Sequence, residues 1–339
     1  MELKKRIGLK DIAQQVGVSI ALVSYVLNNQ KEDRISQEVA DKIRQVAKDL
    51  NYQPNHIAKS LKLQKTFTIG LIVADISNPY SSQIARIIED EAMAKGYTVI
   101  FGSSDENLEK STAIIKALVN RQVDGFIIAP VADSQAFLME LEAQNVPFVL
   151  VDRYFPNKAF SYIAIDNYEA SFNAVKHLLD KGRKNIGLVN YDTSLLHMNE
   201  RTRGYKAALS INKAHYTKDF IQEVSTEHSQ SEIETRLNHL LQLNPPIDAV
   251  LFCSNKLAIS GLKYLKNAKV KVPQELAIVA FDYADAYDLF ATSITHVQQP
   301  LEKLGKQAIA ALIGKIENYD NSLIQVHLDT TLIVQESSV

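Results

Sequence analysis

Residues 9–29, LKDIAQQVGVSIALVSYVLNN, decide how the front of this chain is read. Leu9, Ile12, Ala13 and Val16 recur at the i, i+3, i+4, i+7 spacing of one helical face. Gly17 follows, a residue that tolerates the left-handed conformation in which helices end. Ser19 is a good N-cap, and Val23, Val26 and Leu27 form the inward stripe of a second helix. A third helix is predicted after Ser36, with Val39, Ile43, Val46 and Leu50 facing in. Three short helices joined this tightly make a domain of about 50 residues, near the lower limit for an independent core. The side of the second helix that points away from that core carries Ile20, Ala21, Ser24, Tyr25 and Asn28. These side chains suit base edges and thymine methyl groups in a major groove. The Ser19 end presents backbone N–H groups to a phosphate. A helical hairpin packed on another protein surface is the alternative that spacing alone leaves open.

Charge distribution adds to this reading. Residues 1–65 hold 12 Lys/Arg against 7 Asp/Glu, whereas the remainder holds 25 against 32. A basic head on an acidic body is the pattern expected of a small nucleic-acid-binding module, although a solvated basic surface would look the same. At 339 residues the chain exceeds the roughly 250–300 at which single cores divide. Apolar residues make up 46% of it, with no uninterrupted apolar run long enough to span a membrane. The first residues lack the apolar core of a signal peptide. The single cysteine, Cys253, excludes an internal disulfide framework and fits a reducing, cytoplasmic setting.

After YQPNHIAKSLKLQKTF, a short basic segment opened by Pro54, the texture changes at Thr68. The apolar runs TIGLIVAD, YTVIFGSS, DGFIIAP, FVLVD, NIGLVN, DAVLFCS and ELAIVAFD alternate with helical stretches near 80–95, 107–121, 134–144, 168–181, 200–211, 231–243, 255–267 and 300–317. This alternation predicts an α/β body with parallel sheets covered on both faces, divided into two lobes. Open parallel sheets bind ligands beyond the carboxyl ends of their strands. Asp75, Asn78, Tyr80, Ala129, Asp133, Asp152, Arg153, Asn190, Tyr191, Asn255, Asp282, Tyr283 and Gln299 fall there. Carboxylates and amides with aromatic neighbours suit a sugar, since a carboxylate accepts from adjacent hydroxyls and a tyrosine face covers the ring. For any one of these residues an ordinary loop or capping role is the competing reading.

The opening segment, with LNYQPNHIAKSLK, TIGLIVADISNPY, DGFIIAP, VDRYF, ERTRGYKAAL, AIVAFD and TTLIVQESS in that order, resembles the lactose-repressor (LacI/GalR) family of bacterial transcription regulators over essentially its whole length. The resemblance implies a helix-turn-helix head at 1–53, a hinge helix and linker at 54–66, and a two-lobed type I periplasmic-binding-protein-like domain with three crossovers at 67–339. It places Ile20, Ala21, Ser24 and Tyr25 nearest the bases of double-stranded operator DNA, with Ser19 and Asn28 nearer phosphates. It makes Leu61 a wedge into a minor-groove base step, with Asn55, Ala58 and Lys59 beside it. It assigns effector contacts to Asn78, Tyr80, Ser81, Asp152, Arg201, Asn255, Asp282 and Gln299. Two departures stand out. Tyr25 occupies a position where the family usually has Arg or His, so a bidentate guanine contact is lost. Lys256 follows Asn255 where many members have Asp, so either an acidic sugar or sugar phosphate binds nearby, or Lys256 is a helix-surface lysine.

The implied function is a cytoplasmic, homodimeric repressor controlled allosterically by a small molecule, a sugar above all, with purine- or phosphoprotein-responsive regulation as the alternative within the family. No C-terminal heptad extension follows TTLIVQESSV, which favours a dimer over a tetramer. Catalysis is not expected: GxxxxGK[ST], GxGxxG and HExxH are absent, and Ser260–Lys263 matches SxxK without partner motifs. No histidine pair has metal-ligand spacing, so neither metal nor cofactor is expected. A free sugar-binding receptor of an uptake system, the remaining rival, would not carry the basic head.

Overall fold

The computed structural model describes residues 7–29, 34–52, 65–226, 229–318 and 322–339. The chain forms two compact units, Met1–Gln64 and Lys65–Val339. The hinge positions Asn55, Ala58, Lys59 and Leu61 lie outside the described residues.

The first unit contains α1 (Leu9–Val16), α2 (Ile20–Leu27) and α3 (Gln37–Asp49). The Asp11 carboxylate accepts the Gly8 N–H at the start of α1. At its end Gly17 takes φ 84° and donates its N–H to Ala13 O, a conformation in which any Cβ would be strained. Ser19 Oγ then accepts the Leu22 N–H and opens α2. Ile12 and Ala13 from α1, Val23 and Val26 from α2, and Ala40, Ile43 and Ala47 from α3 make the buried core. The apolar stripes predicted for the three helices therefore converge; Ala40 and Ala47 complete them by letting α3 come close.

The second unit is built on two six-stranded sheets. In the first, β1 (Thr68–Val73), β2 (Thr98–Ser103), β3 (Gly125–Ile128), β4 (Phe148–Val151), β5 (Tyr162–Ile165) and β11 (Gln325–Leu328) take the order β11-β5-β4-β3-β1-β2, all parallel. In the second, β6 (Ile186–Tyr191), β7 (Ile221–Val224), β8 (Ala249–Phe252), β9 (Ala277–Phe281), β10 (Thr295–Gln298) and β12 (Thr331–Ile333) take the order β12-β10-β9-β8-β6-β7, with β12 antiparallel to its neighbour. Around the first sheet, α4 (Pro79–Ala94) and α11 (Leu301–Asn318) share one apolar core. On its other face lie α5 (Leu108–Asn120) and α6 (Gln135–Ala143). Around the second, α7 (Asn167–Asp180) and α8 (Leu196–Ile211) cover one face, and α9 (Ser229–Gln242) and α10 (Asn255–Asn267) the other. The chain passes between the sheets three times: after β5, after β10, and between β11 and β12.

Most strands read from sequence are buried on both faces, such as Gly125–Ile128 and Ala249–Phe252, whereas β2 is largely exposed or half-buried. Five strands were not predicted, and each is short or mixed in character. β11 (QVHL) is an edge strand that alternates exposed and half-buried residues. β7 (IQEV), also at an edge, interrupts its apolar residues with Gln222 and Glu223. β5 (YIAI), although as long and as buried as β3, is not read as a strand from sequence, and β10 and β12 have four and three residues. A strand this short carries no distinguishable period until a neighbour pairs with it.

Gly204 shows how tightly the second lobe is assembled. A Cβ at this position of α8 would sit on the Tyr168 carbonyl oxygen and crowd Phe172 N and Ser171 Cβ of α7. Gly204→Ala is expected to push the two helices apart and cost about 1–3 kcal/mol. Gly314→Ala, in α11 with open space around it, should be neutral or stabilising by up to about 1 kcal/mol. Urea unfolding of the two variants would check both directions.

Candidate effector cavity and DNA-facing helix

Between the two sheets lies a cavity of about 120 Å³, room on the order of ten waters and hence for one small polar ring. It is lined from the first sheet by Asn78, Tyr80, Ser81 and Asp152, and from the second by Arg201, Asp282 and Gln299. Seven of the eight predicted effector residues thus meet at one place. The eighth, Asn255, is fully buried beside the cavity, and its Nδ2 donates to Asn78 Oδ1 at 2.9 Å. Asp133, also at a strand end, stays exposed. Asn190 is satisfied within its own lobe by Met198 O, Thr202 Oγ1 and the Tyr191 N–H.

Two aspartates occupy matching places. Asp152 follows β4 and Asp282 follows β9, strands third in order within their respective sheets. Each donates its N–H to the next strand, to Ile163 O at 3.0 Å and to Val297 O at 2.9 Å. Each then turns into the left-handed region, at φ 68° and 63°. Aspartate tolerates that region better than most residues, and such conformations gather at functional sites. The turn leaves both carboxylates lining the cavity.

Arg201 connects this arrangement. Its Nε donates to Asn167 Oδ1 at 2.8 Å and its Nη1 to Cys253 O at 2.6 Å. Its guanidinium lies 3.9 Å from the centre of the Phe281 ring. Burial pushes the Asp282 carboxyl up to about 6, although Arg201 and the 2.7 Å hydrogen bond from Gln299 Nε2 pull the other way. Burial also raises Asp152, opposed by Arg153 and Arg201. His197, which also lines the cavity, is driven well below its usual value by burial and then by both arginines, and so is a neutral imidazole.

Buried polar atoms normally find a partner. Among the described residues seven side-chain atoms do not, and four of them line this cavity: Tyr80 Oη, Arg153 Nε, His197 Nδ1 and Gln299 Oε1; a fifth, Asn255 Oδ1, adjoins it. Burial, and then the Asp152 and Asp282 carboxylates, raise the Tyr80 hydroxyl well above its usual value, yet Tyr80 Oη makes no well-aligned hydrogen bond. Sequence reasoning missed His197, and did not foresee that Arg153 is held by both oxygens of Glu106 at 2.7 and 2.6 Å. Neither partnership has a signal in local spacing: Glu106 sits 47 positions from Arg153.

In the first unit, α2 turns Val23 and Val26 inward. Ser19, Ile20, Ala21 and Asn28 are exposed, and Ser24 and Tyr25 half-buried. Asn28 Nδ2 donates to Ser24 O at 2.8 Å, closing the end of the helix. Among the described residues no group of three metal-ligating side chains occurs, and no helix is long and apolar enough to cross a membrane.

The Asp282 shift has a consequence for stability. Between pH 4 and 6 the native state keeps a proton that the unfolded chain has lost, so this residue's contribution falls as pH rises through that range. Asp282→Asn is expected to be more stable than the parent above pH 6, by up to about 3 kcal/mol. The advantage should vanish near pH 4, as chemical denaturation at the two pH values would show.

Comparison with known proteins places both units. Residues 8–55 match the model of bacterial regulatory proteins of the lacI family. Residues 66–332 match that of periplasmic binding proteins and the sugar-binding domain of the LacI family. The ribose operon repressor of Halalkalibacterium halodurans is 31% identical over 332 residues, covering 97% of this chain and 96% of that protein. The lac repressor dimer bound to operator and an anti-inducer shares the fold, with a TM-score of 0.86 at 21% identity over 99% of this chain and all of that one. A LacI-family regulator from Enterococcus faecium with bound ribose superposes at TM-score 0.71 with 26% identity, over 80% of this chain and 98% of that one. With its front matching the DNA-binding region and its body the two-lobed ligand domain, the chain belongs to the LacI family of DNA-binding transcription regulators.

Proposed function

We propose that this regulator is a homodimeric repressor whose grip on its operator is set by a monosaccharide bound in the cavity between the lobes. The observation that carries the ligand half is the gathering of orphaned polar atoms around one cavity that also holds two buried carboxylates and a buried arginine. Hydroxyls of a sugar ring both donate and accept, so they can satisfy Asp152, Asp282 and Gln299 Oε1 as acceptors, and His197 and Tyr80 in either sense. Tyr80 and Tyr191 add apolar ring surface to the lining. The ribose operon repressor and the ribose-bound regulator among the relatives support this class of ligand.

The DNA half rests on α2. Its outward residues Ile20, Ala21, Ser24 and Tyr25 read base edges in this proposal, with Ser19 and Asn28 toward phosphates. Residues 54–66 form the hinge, with Leu61 as the minor-groove wedge beside Asn55, Ala58 and Lys59. Coupling between the sites is then a free energy that effector and operator share reciprocally.

Thermal unfolding of the full chain in the presence of neutral pentoses and hexoses, sugar phosphates and purines tests the ligand. A native-state ligand raises the melting temperature with concentration. A saturable rise with one monosaccharide, lost in Asp282→Ala, is expected; a rise with purines alone overturns the sugar reading. For DNA, the Ser24→Ala/Tyr25→Ala variant is expected to lose operator selectivity by at least tenfold. It should keep salt-sensitive binding to any duplex and the same effector-induced shift. Unchanged selectivity overturns the assignment of this face.

A further inference from the structure

Lys256 is the residue whose sequence reading left two alternatives open; it is an exposed lysine on the first turn of α10, and it is also paired. Its Nζ lies 2.5 Å from Asp75 Oδ2, at the mouth of the cavity and across the cleft, because Asp75 follows β1 of the first lobe and Lys256 belongs to α10 of the second. Ser77 holds the other side of the pair: its N–H and its hydroxyl donate to Asp75 Oδ1 at 2.9 and 2.7 Å. Burial pushes the Asp75 carboxyl up, but the hydrogen bonds from Lys256 and Ser77 outweigh it and keep the group below the usual carboxylate range. The Asn78–Asn255 hydrogen bond joins the lobes one step further in.

The other cations at the cavity also have internal partners. Arg153 is paired through Nη1 and Nη2 with both oxygens of Glu106, with only its Nε left without a hydrogen bond. Arg201 spends Nε and Nη1 on Asn167 and Cys253 O, and stands between the influence of Asp152 and Asp282. His197 is uncharged. Two helix N-termini that face the cleft are capped, α4 by Asn78 Oδ1 on Tyr80 N and α10 by Ser254 Oγ on Leu257 N, whereas that of α8, at Leu195, has no side-chain cap. A ligand that carries a phosphate or carboxylate would therefore meet two lining cations, Lys256 and Arg153, already paired with carboxylates, and a third, Arg201, buried and hydrogen-bonded to neutral groups.

We infer that Asp75 is a specificity-determining residue: by holding Lys256 across the mouth it restricts the site to uncharged ligands, and its removal opens the site to the phosphorylated counterpart. The inference rests on the monosaccharide reading above and sharpens it. Asp75 acts through Lys256 rather than by touching the ligand, which makes it a positioning residue. The pair is partly solvated, with side-chain exposures of 26% for Asp75 and 49% for Lys256. Such pairs are weak, so this one opens for a passing ligand while still outcompeting a dilute anion for the lysine.

D-ribose and D-ribose 5-phosphate serve as matched probes, read by calorimetry and thermal shift on the full chain, alongside a panel of neutral hexoses and their phosphates. The parent is expected to bind the neutral member of a pair at least tenfold more tightly than the ester. Asp75→Asn, which keeps the shape and removes the charge, is expected to gain at least tenfold for the ester with the neutral sugar changed less than threefold. Asp75→Asn/Lys256→Gln is expected to lose that gain while keeping the neutral sugar, an outcome that mere loosening of the cleft would not produce. A parent that binds both members equally, or an Asp75→Asn variant that binds the neutral sugar normally with no gain for the ester, overturns the role of Asp75. If no sugar of either kind binds the parent, the monosaccharide reading fails and takes this inference with it.

Discussion

The ligand-binding unit depends on how a single buried guanidinium is compensated. Arg201 is 2% exposed, and a charge taken that far from water is costly unless every donor and the charge itself are answered. Three different parts of the fold answer it: the side chain of Asn167 at the head of α7, the carbonyl of Cys253 just beyond β8, and the Phe281 ring at the end of β9. Each of those partners is placed by the packing of the second lobe, and Gly204, three residues along α8 from Arg201, lets α7 approach closely enough for Asn167 to reach. What remains of the positive charge acts on Asp152 and Asp282, one from each lobe. The arginine is therefore both a structural element of its own lobe and an electrostatic attraction for the other.

The two aspartates follow from the same topology. Each sheet has six strands with the equivalent strand in third place, and each of these strands ends in an aspartate with positive φ. Burial keeps both carboxyls above their ordinary range despite the nearby arginines. Acceptors in this condition are incompletely satisfied by protein alone, and the orphaned atoms of Tyr80, His197 and Gln299 around them tell the same story. Polar groups that are buried, positioned and unpaired are what a polar ligand displaces water to reach. The bridging contacts Asp75–Lys256, at the mouth, and Asn78–Asn255, further in, join the lobes.

The three-helix unit is a different kind of object. Its core is a handful of residues, with Ile12, Val23 and Ile43 fully buried at the centre. The outward residues Ser19, Ile20, Ala21 and Asn28 at α2 are exposed and take no part in that core. Tyr25 is half-buried on that helix and Ile20 is 48% exposed. An exposed isoleucine on a basic unit is a surface feature that the core does not require.

The sequence by itself determined the helical periods of the head, the glycine stop at Gly17, the cap at Ser19 and the long apolar strands with helices between them. All of these are local: a helix or doubly buried strand announces itself through spacing within a dozen residues. It also determined which polar residues fall at strand ends, and Asn78, Tyr80, Asp152, Asp282 and Gln299 of that set line the cavity, whereas Ser81 and Arg201 were expected only from the resemblance to the LacI/GalR family. Only the tertiary structure decided the short strands β5, β7, β10, β11 and β12, whose identity comes from a hydrogen-bonded neighbour. It alone decided the partners of charge as well: Glu106 for Arg153, Asn167 for Arg201 and Asp75 for Lys256 lie 47, 34 and 181 positions away. Electrostatic pairing depends on distance in space, and no pattern of neighbouring residues encodes which distant loop will arrive.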